Sequence, residues 1–452
     1  MAGAGNEDGT GDRGPHVVVV GGGFAGVGCA KALAKHGVRV TLIDRNNSHQ
    51  FQPLLYQVAT AELALIDVAR PFRGIFHADR SVTIKHGEVT AVDLDACAAT
   101  VVTAAGATEV VTGDHLVLAA GSVPNFFGVP GAEEHAFALY DALQANYLRT
   151  RLFASFEDAA GDPRLIDKGA LTVVIVGGGP TGVETAGAVA DLVNDVMPKR
   201  YRDLDASRAR VILVDHGPAV LSAFSDKAHT YAATRLTELG VELRLNTGVT
   251  EITNDRVKLS DGAEILTHTV VWAGGIRPPA LVADSHLATG RGGWVEVRPD
   301  LTIEGHPRVY AIGDVAATID DAGDHLPQLG SVALQAGRWA ARNIRHDVAG
   351  EALEPFHYHD KGIMAMIGSG SAVAAIGRKH HELHGHVAFM AWLGVHSYLM
   401  SGVRQRVDAF VSWAWDFLGA NRDDAIIDPT VAAIDWGDDE DEDEDEDDGA
   451  PA

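Results

Sequence analysis

The run Val173-Val174-Ile175-Val176-Gly177-Gly178-Gly179-Pro180-Thr181-Gly182-Val183-Glu184 decides the fold. Its β-branched residues predict a strand that stops at three glycines, after which a helix begins. The first N–H groups of such a helix have no partner within the helix, and the glycines let an anion approach them closely. The run therefore predicts a site for the pyrophosphate of a dinucleotide.

A second copy of this pattern lies near the start of the chain, in Val17-Val18-Val19-Val20-Gly21-Gly22-Gly23-Phe24-Ala25-Gly26. Each copy is followed by a second predicted strand that ends in an acidic residue, Asp44 in the first unit and Asp215 in the second. A carboxylate at this place accepts hydrogen bonds from ribose hydroxyls, and at Asp215 it favours NADH over NADPH. Two such units in one chain predict two dinucleotides that face each other.

Composition limits the classes of protein that the chain can belong to. With 452 residues and 46% hydrophobic content, it is long enough for two or three globular domains. The two cysteines, Cys29 and Cys97, form no CxxC pair, which excludes a disulfide scaffold, a zinc finger and a dithiol redox centre. The net charge of −26 argues against a nucleic acid as partner.

The two ends of the chain differ from the rest. Residues 1–15 are rich in glycine and acidic, and they lack the features of a secretory signal. The acidic run from Asp438 to Asp448 cannot form a core. We expect 1–15 and 438–452 to be disordered, with a solubilising role for the tail.

Strand-like segments elsewhere predict the domain order. The buried run from His115 to Leu118 and the run from Val309 to Ile312, which is followed by Gly313 and Asp314, resemble further strands of the first unit. We therefore predict an α/β fold with two Rossmann-like dinucleotide-binding domains, of which the first is split and the second is inserted, plus a C-terminal amphipathic helical membrane-anchoring region. The predicted boundaries are 16–167 and 291–350 for the first domain, 168–290 for the second domain and 351–437 for the C-terminal region; the family resemblance given below implies that the first is the FAD domain and the second the NAD domain.

The C-terminal region poses the question of a membrane. No stretch reaches 18 uninterrupted apolar residues, so no transmembrane helix is predicted. Residues 387–418 combine apolar residues at helical spacing with Trp413, Trp415 and several arginines, which suits a helix lying on a lipid surface. A core helix or a dimer interface would give the same pattern. The histidines between 380 and 386 are interpreted as a solvated loop, and no metal site is predicted.

The chain resembles the type II NADH dehydrogenases, single-subunit NADH:quinone oxidoreductases of the two-dinucleotide-binding flavoprotein superfamily. The resemblance covers residues 17 to 428 and is carried by Gly21–Gly26, Phe51–Tyr56, Ala120–Asn125, Gly177–Glu184, Val271–Gly275, Ala311–Asp314, Asp360–Gly362 and Trp413–Trp415. It implies FAD and NADH as cofactors, a ubiquinone or menaquinone as acceptor and no proton pumping. It also implies a respiratory enzyme held peripherally on the cytoplasmic side of the cell membrane, and a homodimer is the expected assembly.

The patterns and the resemblance together give the candidate site residues. Those expected to bind FAD are Gly21, Gly23, Phe24, Ala25, Gly26, Asp44, Val89, Gly121, Gly313 and Asp314. Those expected to bind NADH are Gly177, Gly179, Gly182, Glu184, Asp215 and Gly275. The resemblance places Gln57, Ser331 and Gln335 at the quinone, and it assigns catalytic roles to Glu184, Gln335 and Lys361.

One of these residues departs from the family pattern. The family's quinone motif reads Ala-Gln-x-Ala-x-Gln, whereas this chain has Ser331 at the first glutamine and keeps the second as Gln335. Each candidate also has an ordinary structural alternative. Glu184 near a helix N-terminus can simply stabilise the helix dipole, Gln335 can be a plain helix residue and Lys361 a surface lysine.

Two other functions fit parts of the sequence. A soluble NAD(P)H-dependent reductase of ferredoxin or rubredoxin would share both dinucleotide units, but the acidic chain offers no evident basic docking patch. A flavoprotein redox sensor would give the acidic tail a purpose. A dithiol reductase or a sulfide:quinone oxidoreductase is disfavoured because the cysteine pair is missing.

Overall fold

The structure of the protein is a computed structural model that describes residues 14–377, 380–400, 402–417 and 426–436. Residues 1–13, Leu418, Arg422 and the acidic tail lie outside the described residues, so the predictions made for them have no structural counterpart here.

The first third of the chain is rich in strands. They are β1 His16–Val20, β2 Arg39–Asp44, β3 Ser48–Gln50, β4 Ala69–Pro71, β5 Val82–Asp93, β6 Ala98–Thr103, β7 Thr108–Thr112, β8 His115–Leu118, β9 Val123–Pro124 and β10 Ala136–Ala138. The helices of this part are α1 Phe24–Ala34, α2 Leu55–Ala59, α3 Leu65–Val68, α4 Phe72–Ile75, α5 Ala132–His135 and α6 Ala142–Gly161.

The middle of the chain repeats the strand and helix alternation. Its strands are β11 Thr172–Val176, β12 Arg210–Val214, β13 Val241–Arg244, β14 Val249–Ile252, β15 Arg256–Leu259, β16 Glu264–Leu266, β17 Thr269–Trp272, β18 Ile276–Arg277, β19 Thr302–Ile303 and β20 His306–Ala311. Its helices are α7 Pro180–Asp191, α8 Met197–Arg200, α9 Asp226–Glu238, α10 Ala280–Asp284 and α11 Gly330–Ala349, and a π-helix spans Leu192–Val196.

The first dinucleotide unit is the centre of an eight-stranded sheet with the order β19-β20-β8-β1-β2-β5-β6-β7. Strand β1 lies between β2 and β8 and is parallel to both. Its four valines are almost completely buried because helices or loops cover both faces of a parallel sheet. Strand β20 comes from the far end of the middle region and pairs with β8 in parallel, as the split arrangement predicts.

The second unit forms a separate five-stranded parallel sheet with the order β10-β17-β11-β12-β13. Here β11 lies between β12 and β17, as β1 lies between β2 and β8 in the first sheet. Strand β10 lies between α5 and α6 and pairs with β17, although the sequence of this segment does not identify it as a strand. Three apolar residues are too few for their spacing to distinguish a buried strand from a helix.

The C-terminal region contains a sheet that we did not predict. Strands β21 Gly362–Met366, β22 Ala372–Ile376 and β23 His381–Gly385 pair antiparallel, and helices α12 His386–Leu399 and α13 Val403–Phe417 follow. The histidine segment therefore forms an edge strand instead of a loop, because it pairs along its whole length with the preceding strand β22. Among the described helices, none is long and apolar enough to cross a membrane.

Candidate active site

The first glycine turn forms an open cradle at the end of β1. A Cβ atom added to Gly26 would lie 1.8 Å from the carbonyl oxygen of Gly21, so the turn closes tightly only with glycine. A Cβ added to Gly23, by contrast, would meet nothing within 4 Å. Helix α1 begins at the next residue, Phe24, without a side-chain cap. The space beside its free N–H groups fits a pyrophosphate.

Asp44 closes this cradle from the end of β2. Its carboxylate accepts hydrogen bonds from the Gly22 and Asn46 main-chain N–H groups, at 2.6 Å and 2.7 Å. Burial raises the pKa of Asp44, and the two N–H groups oppose this shift. The carboxylate is thus fixed beside the glycine turn, where the adenosine ribose of a dinucleotide would lie.

The second cradle has the same glycine contacts and the same carboxylate hydrogen bonds as the first. A Cβ on Gly182 would again lie 1.8 Å from a carbonyl oxygen, that of Gly177, and Gly179 again borders open space. Asp215 accepts from the N–H groups of Gly178 and Gly217, at 2.5 Å and 2.6 Å. Two identical cradles fit two dinucleotides.

The predicted residue Gly275 and a neighbour of Asp215, His216, lie at the edges of the second cradle. His216 is almost fully exposed beside Asp215, with 3.9 Å between its Nδ1 and the carboxylate. Gly275, with φ +140°, lies where a Cβ would approach the ring of Phe127 at 3.3 Å. Only glycine adopts this backbone conformation readily.

A polar group from the far side of the first sheet meets the start of α1. Gly313 has φ +73°, and a Cβ there would lie 2.9 Å from that of Ala25. The neighbouring Asp314 is largely buried, which raises its pKa to about 6. Its carboxylate accepts a hydrogen bond from Ser122 Oγ at 3.5 Å, and Ser122 in turn bonds the Tyr140 hydroxyl at 2.7 Å.

The remaining FAD candidates are Gly121 and Val89. Gly121 precedes Ser122 and has φ +68°. Val89 lies within β5, where the ladder with β6 is irregular between Val89 and Ala91. Sequence reasoning missed the roles of Ser122 and Tyr140, although Ser122 stands in one of the quoted motifs. Tyr140 has no local signal, because it lies in the short connection between β10 and α6, outside every quoted motif.

Glu184 lies deeper than predicted. It is the fifth residue of α7 and therefore belongs to its second turn, not its first, and it is 8% exposed. Its Oε1 accepts hydrogen bonds from the Met366 main-chain N–H at 3.1 Å and from Trp392 Nε1 at 3.3 Å. Burial raises the pKa of Glu184 to about 8, although both hydrogen bonds oppose the shift. A carboxyl group here holds a proton at neutral pH, which a helix-capping carboxylate would not.

A second polar side chain lies beside Glu184, on helix α2. Gln57 is buried; its Oε1 accepts from Trp413 Nε1 at 2.9 Å, and its Nε2 donates to the Tyr56 hydroxyl at 3.4 Å. The Tyr56 hydroxyl also contacts the sulfur of Met366 at 3.7 Å. Glu184 and Gln57 are thus joined through Met366 and Tyr56, and each is held by a tryptophan of a C-terminal helix.

The other two quinone candidates lie together on α11. The Ser331 and Tyr358 hydroxyls bond each other at 3.0 Å. The Gln335 amide donates to the carbonyl oxygen of His359 and accepts from its N–H, both at 3.0 Å. Both side chains are thus engaged with the 358–359 segment. The side chain of Lys361 is exposed.

A row of aromatic rings connects these groups. Phe24 at the start of α1 makes an edge contact with Phe51 at 5.4 Å between centroids, and Phe51 makes one with His396 at 6.3 Å. His396 stacks on Trp392 at 4.0 Å, and Trp392 meets Trp413 edge-on at 5.7 Å. This wall runs from the first cradle to the C-terminal helices and gives the site an apolar side.

Comparison with known proteins agrees with this geometry. The family model of the pyridine nucleotide-disulphide oxidoreductases matches residues 15–337. The chain is 37% identical over 419 residues to the type II NADH:quinone oxidoreductase Ndh of Mycobacterium tuberculosis, covering 90% of this chain and 89% of that protein. It is 30% identical to the type II NADH:quinone oxidoreductase of Staphylococcus aureus, covering 80% of this chain and 89% of that protein.

A solved structure supports the fold. The structure of NDH2 from Plasmodium falciparum in complex with NADH superposes with a TM-score of 0.81 at 17% identity, covering 90% of this chain and 99% of that chain. Similarity to these relatives fits the quinone interpretation better than a soluble ferredoxin or rubredoxin reductase. From the family model and these two relatives, we conclude that the chain belongs to the family of type II NADH:quinone oxidoreductases.

Proposed function

We propose that the chain oxidises NADH and reduces a membrane quinone, with FAD in the first cradle and NADH in the second, without pumping protons. The observation that carries this proposal is the repeated cradle, with tight and open glycines at matching positions and a fixed carboxylate beside each. FAD, when bound in the first cradle, would supply the redox chemistry, which is hydride acceptance followed by transfer of two electrons.

The protein's own residues bind and orient the reactants. In the first cradle, the N–H groups of α1 would face the pyrophosphate of FAD, and Asp44 its adenosine ribose. Asp314 lies beside the start of α1 and would bind the ribityl chain. In the second, α7 and Asp215 would hold NADH in the same way. This assignment supports the predicted FAD and NAD domain ranges, whose boundaries stay a prediction.

Quinone reduction consumes two protons, and Glu184 is the group best placed to hold one. Its Oε1 accepts both hydrogen bonds, and no described residue bonds its Oε2. A proton on Oε2 therefore has no acceptor among the described residues and is available to a bound reactant. Gln57 would line the quinone from one side, and Ser331 and Gln335 from the other. Lys361 would approach the reduced flavin from the surface.

The C-terminal helices carry the proposed membrane surface. We take their exposed large apolar residues as one apolar face, together with Ile66 of α3, which packs against α13. The residues of this face are Ile66, Val387, Met390, Val395, Tyr398, Val403, Val407, Phe410, Val411 and Trp415. An exposed apolar face of this kind suits peripheral attachment on the cytoplasmic side of the cell membrane. The same face would serve a homodimer, which liposome binding by the monomer would distinguish.

Steady-state kinetics of the purified protein test this proposal. NADH and a short-chain quinone are varied together, with NADPH as the alternative donor and a ferredoxin as the alternative acceptor. We expect quinone turnover that saturates in both substrates, with a clear preference for NADH. Turnover with ferredoxin but not with quinone would overturn the proposed acceptor.

A further inference from the structure

Helix α12 faces the site and the solvent with different residues. Ala388, Trp392 and His396 are buried and recur every four residues, so they share the inner face of the helix. Val387, Met390 and Tyr398 are exposed and belong to the apolar face proposed for the membrane. One helix therefore connects that face with the interior.

The inner face of α12 contacts Glu184 through a single polar atom. Trp392 is completely buried, and its indole N–H is its one donor, which it gives to Glu184 Oε1. His396 stacks on the same indole, and its Nδ1 bonds the Trp392 carbonyl oxygen at 2.9 Å. These contacts fix the orientation of the indole.

Strand β21 holds the other side of the same carboxyl. The Met366 N–H donates to Oε1, and one turn along α7 a Cβ added to Gly187 would lie 2.4 Å from the Gly368 nitrogen. Asp191 accepts from the Ser369 N–H at 2.6 Å. Helix α7 is thus clamped against the end of β21 along two turns, which leaves the Glu184 carboxyl little freedom to rotate.

We propose that Trp392 is a positioning residue, which with Met366 binds Glu184 Oε1 and thereby leaves Oε2 as the oxygen that carries and delivers the proton. The contact itself stands on the geometry, whereas its importance for turnover rests on the proposed function. A donated hydrogen bond stabilises the ionised carboxylate, so the indole also sets how readily Glu184 releases its proton.

The titratable groups packed around this carboxyl are few. Tyr56 approaches from α2, and its pKa is raised far above the usual range, first by burial and then by Glu184. His396 of α12 has its pKa lowered to about 4 by burial, so it is neutral near pH 7. Asp191 lies two turns further along α7. Strand β21 contributes main-chain groups only.

An infrared pH titration of the FAD-loaded protein tests this proposal without turnover. The carboxyl stretching band of Glu184 is identified by its loss in Glu184→Gln. In Trp392→Phe we expect the midpoint of this band to rise by about one pH unit, because the ionised form loses a hydrogen bond. Trp436→Phe is the matched control, since that indole also donates to a carboxylate, Asp158, but far along the chain from Glu184. In Trp436→Phe the midpoint of the Glu184 carboxyl band should equal that of the wild type.

A second variant is needed because Trp392→Phe also changes the size of a buried side chain and can impair folding. Benzothienylalanine at position 392 keeps the shape of the indole and removes only the N–H group. An unchanged midpoint with this residue, or an equal shift in Trp436→Phe, would overturn the proposal.

The pH profile of quinone turnover separates this proposal from the proposed function. The limb that depends on Glu184 should move upward by the same amount as the infrared midpoint, and Glu184→Gln combined with Trp392→Phe should show no further shift. If the infrared midpoint moves but the protein does not turn over quinone, the positioning contact stands and the proposed function fails. If turnover is normal and neither readout moves, only the positioning role fails.

Discussion

At the scale of single residues, burial keeps the carboxyl group of Glu184 protonated near neutral pH. The pKa of Glu184 is about 8 in the folded protein and 4.5 is its ordinary value, so between these values the folded state binds more protons than the unfolded chain. The stability that this difference contributes is fully present below about pH 4.5 and is lost as the pH rises to about 8.

Glu184→Gln should therefore change how stability depends on pH. Between pH 5 and 8 the free energy of unfolding of the wild type, relative to the variant, should fall by roughly 1.4 kcal/mol per pH unit at most. Urea unfolding of both proteins at several pH values measures this difference. His49 and His396, whose pKa values burial lowers to about 4, contribute equally to both proteins and cancel. A difference that stays constant with pH would show that Glu184 is already ionised.

Ser331 offers a second prediction at this scale. Its hydroxyl reaches only Tyr358 in the described structure, whereas Gln335 is held by two hydrogen bonds to His359. Ser331→Ala should raise the KM for quinone only a few-fold, while Gln335→Ala should raise it more, because it also frees the 358–359 segment. The KM for NADH serves as the internal control and should not change. Equal effects on both KM values would place these residues outside the quinone site.

At the scale of elements, a substitution in one glycine turn should abolish binding of one dinucleotide and leave binding of the other unchanged. Gly182→Ala would place a methyl group against the Gly177 carbonyl, so this variant should lose NADH binding and keep its flavin. Gly26→Ala, its matched counterpart, should be purified without flavin. Flavin absorbance and NADH titration measure both outcomes. Loss of flavin in Gly182→Ala would contradict the assignment of the two cradles.

The outward face of α12 and α13 makes a prediction about membranes. Phe410→Asp removes one large apolar residue from this face and adds a charge, so liposome affinity should fall by roughly thirtyfold, equivalent to about 2 kcal/mol. Val110→Asp is the control, since Val110 is similarly exposed but lies on β7, away from this face. Sedimentation with vesicles measures both. Equal binding by the two variants would favour a dimer interface.

Local sequence predicted some elements well and others poorly. The valine runs of β1 and β11 are easily identified as strands from the sequence, because a strand buried on both faces must be continuously apolar. The exposure of Val403, Val407, Phe410 and Val411 also follows the predicted helical spacing. Strands β21 to β23 were missed although they pair with sequence neighbours, because their mixture of glycine, alanine and histidine gives no alternating apolar pattern. Strand β10 was missed because its partner β17 is distant in sequence. The environment of Glu184 was missed for the same reason: its donors come from residues 366 and 392.

At the scale of the whole molecule, the net negative charge opposes the proposed attachment to an anionic membrane. The chain carries a net charge of −26, of which the acidic run from 438 to 448 contributes a large part. Truncation after residue 437 retains Trp436, whose indole donates to Asp158, and should leave flavin content and turnover unchanged. Affinity for anionic vesicles should rise at low salt and converge with that of the full chain at high salt. A loss of turnover on truncation would instead favour a regulatory role for the tail.

The central claim is that two dinucleotides meet in one protein and pass electrons to a quinone, and one anaerobic experiment tests it most directly. The flavin absorbance of the purified protein is followed while NADH and then a quinone are added. We predict that stoichiometric NADH bleaches the flavin band and that one equivalent of quinone restores it. A flavin that NADH leaves oxidised, or that quinone cannot reoxidise, would contradict this account.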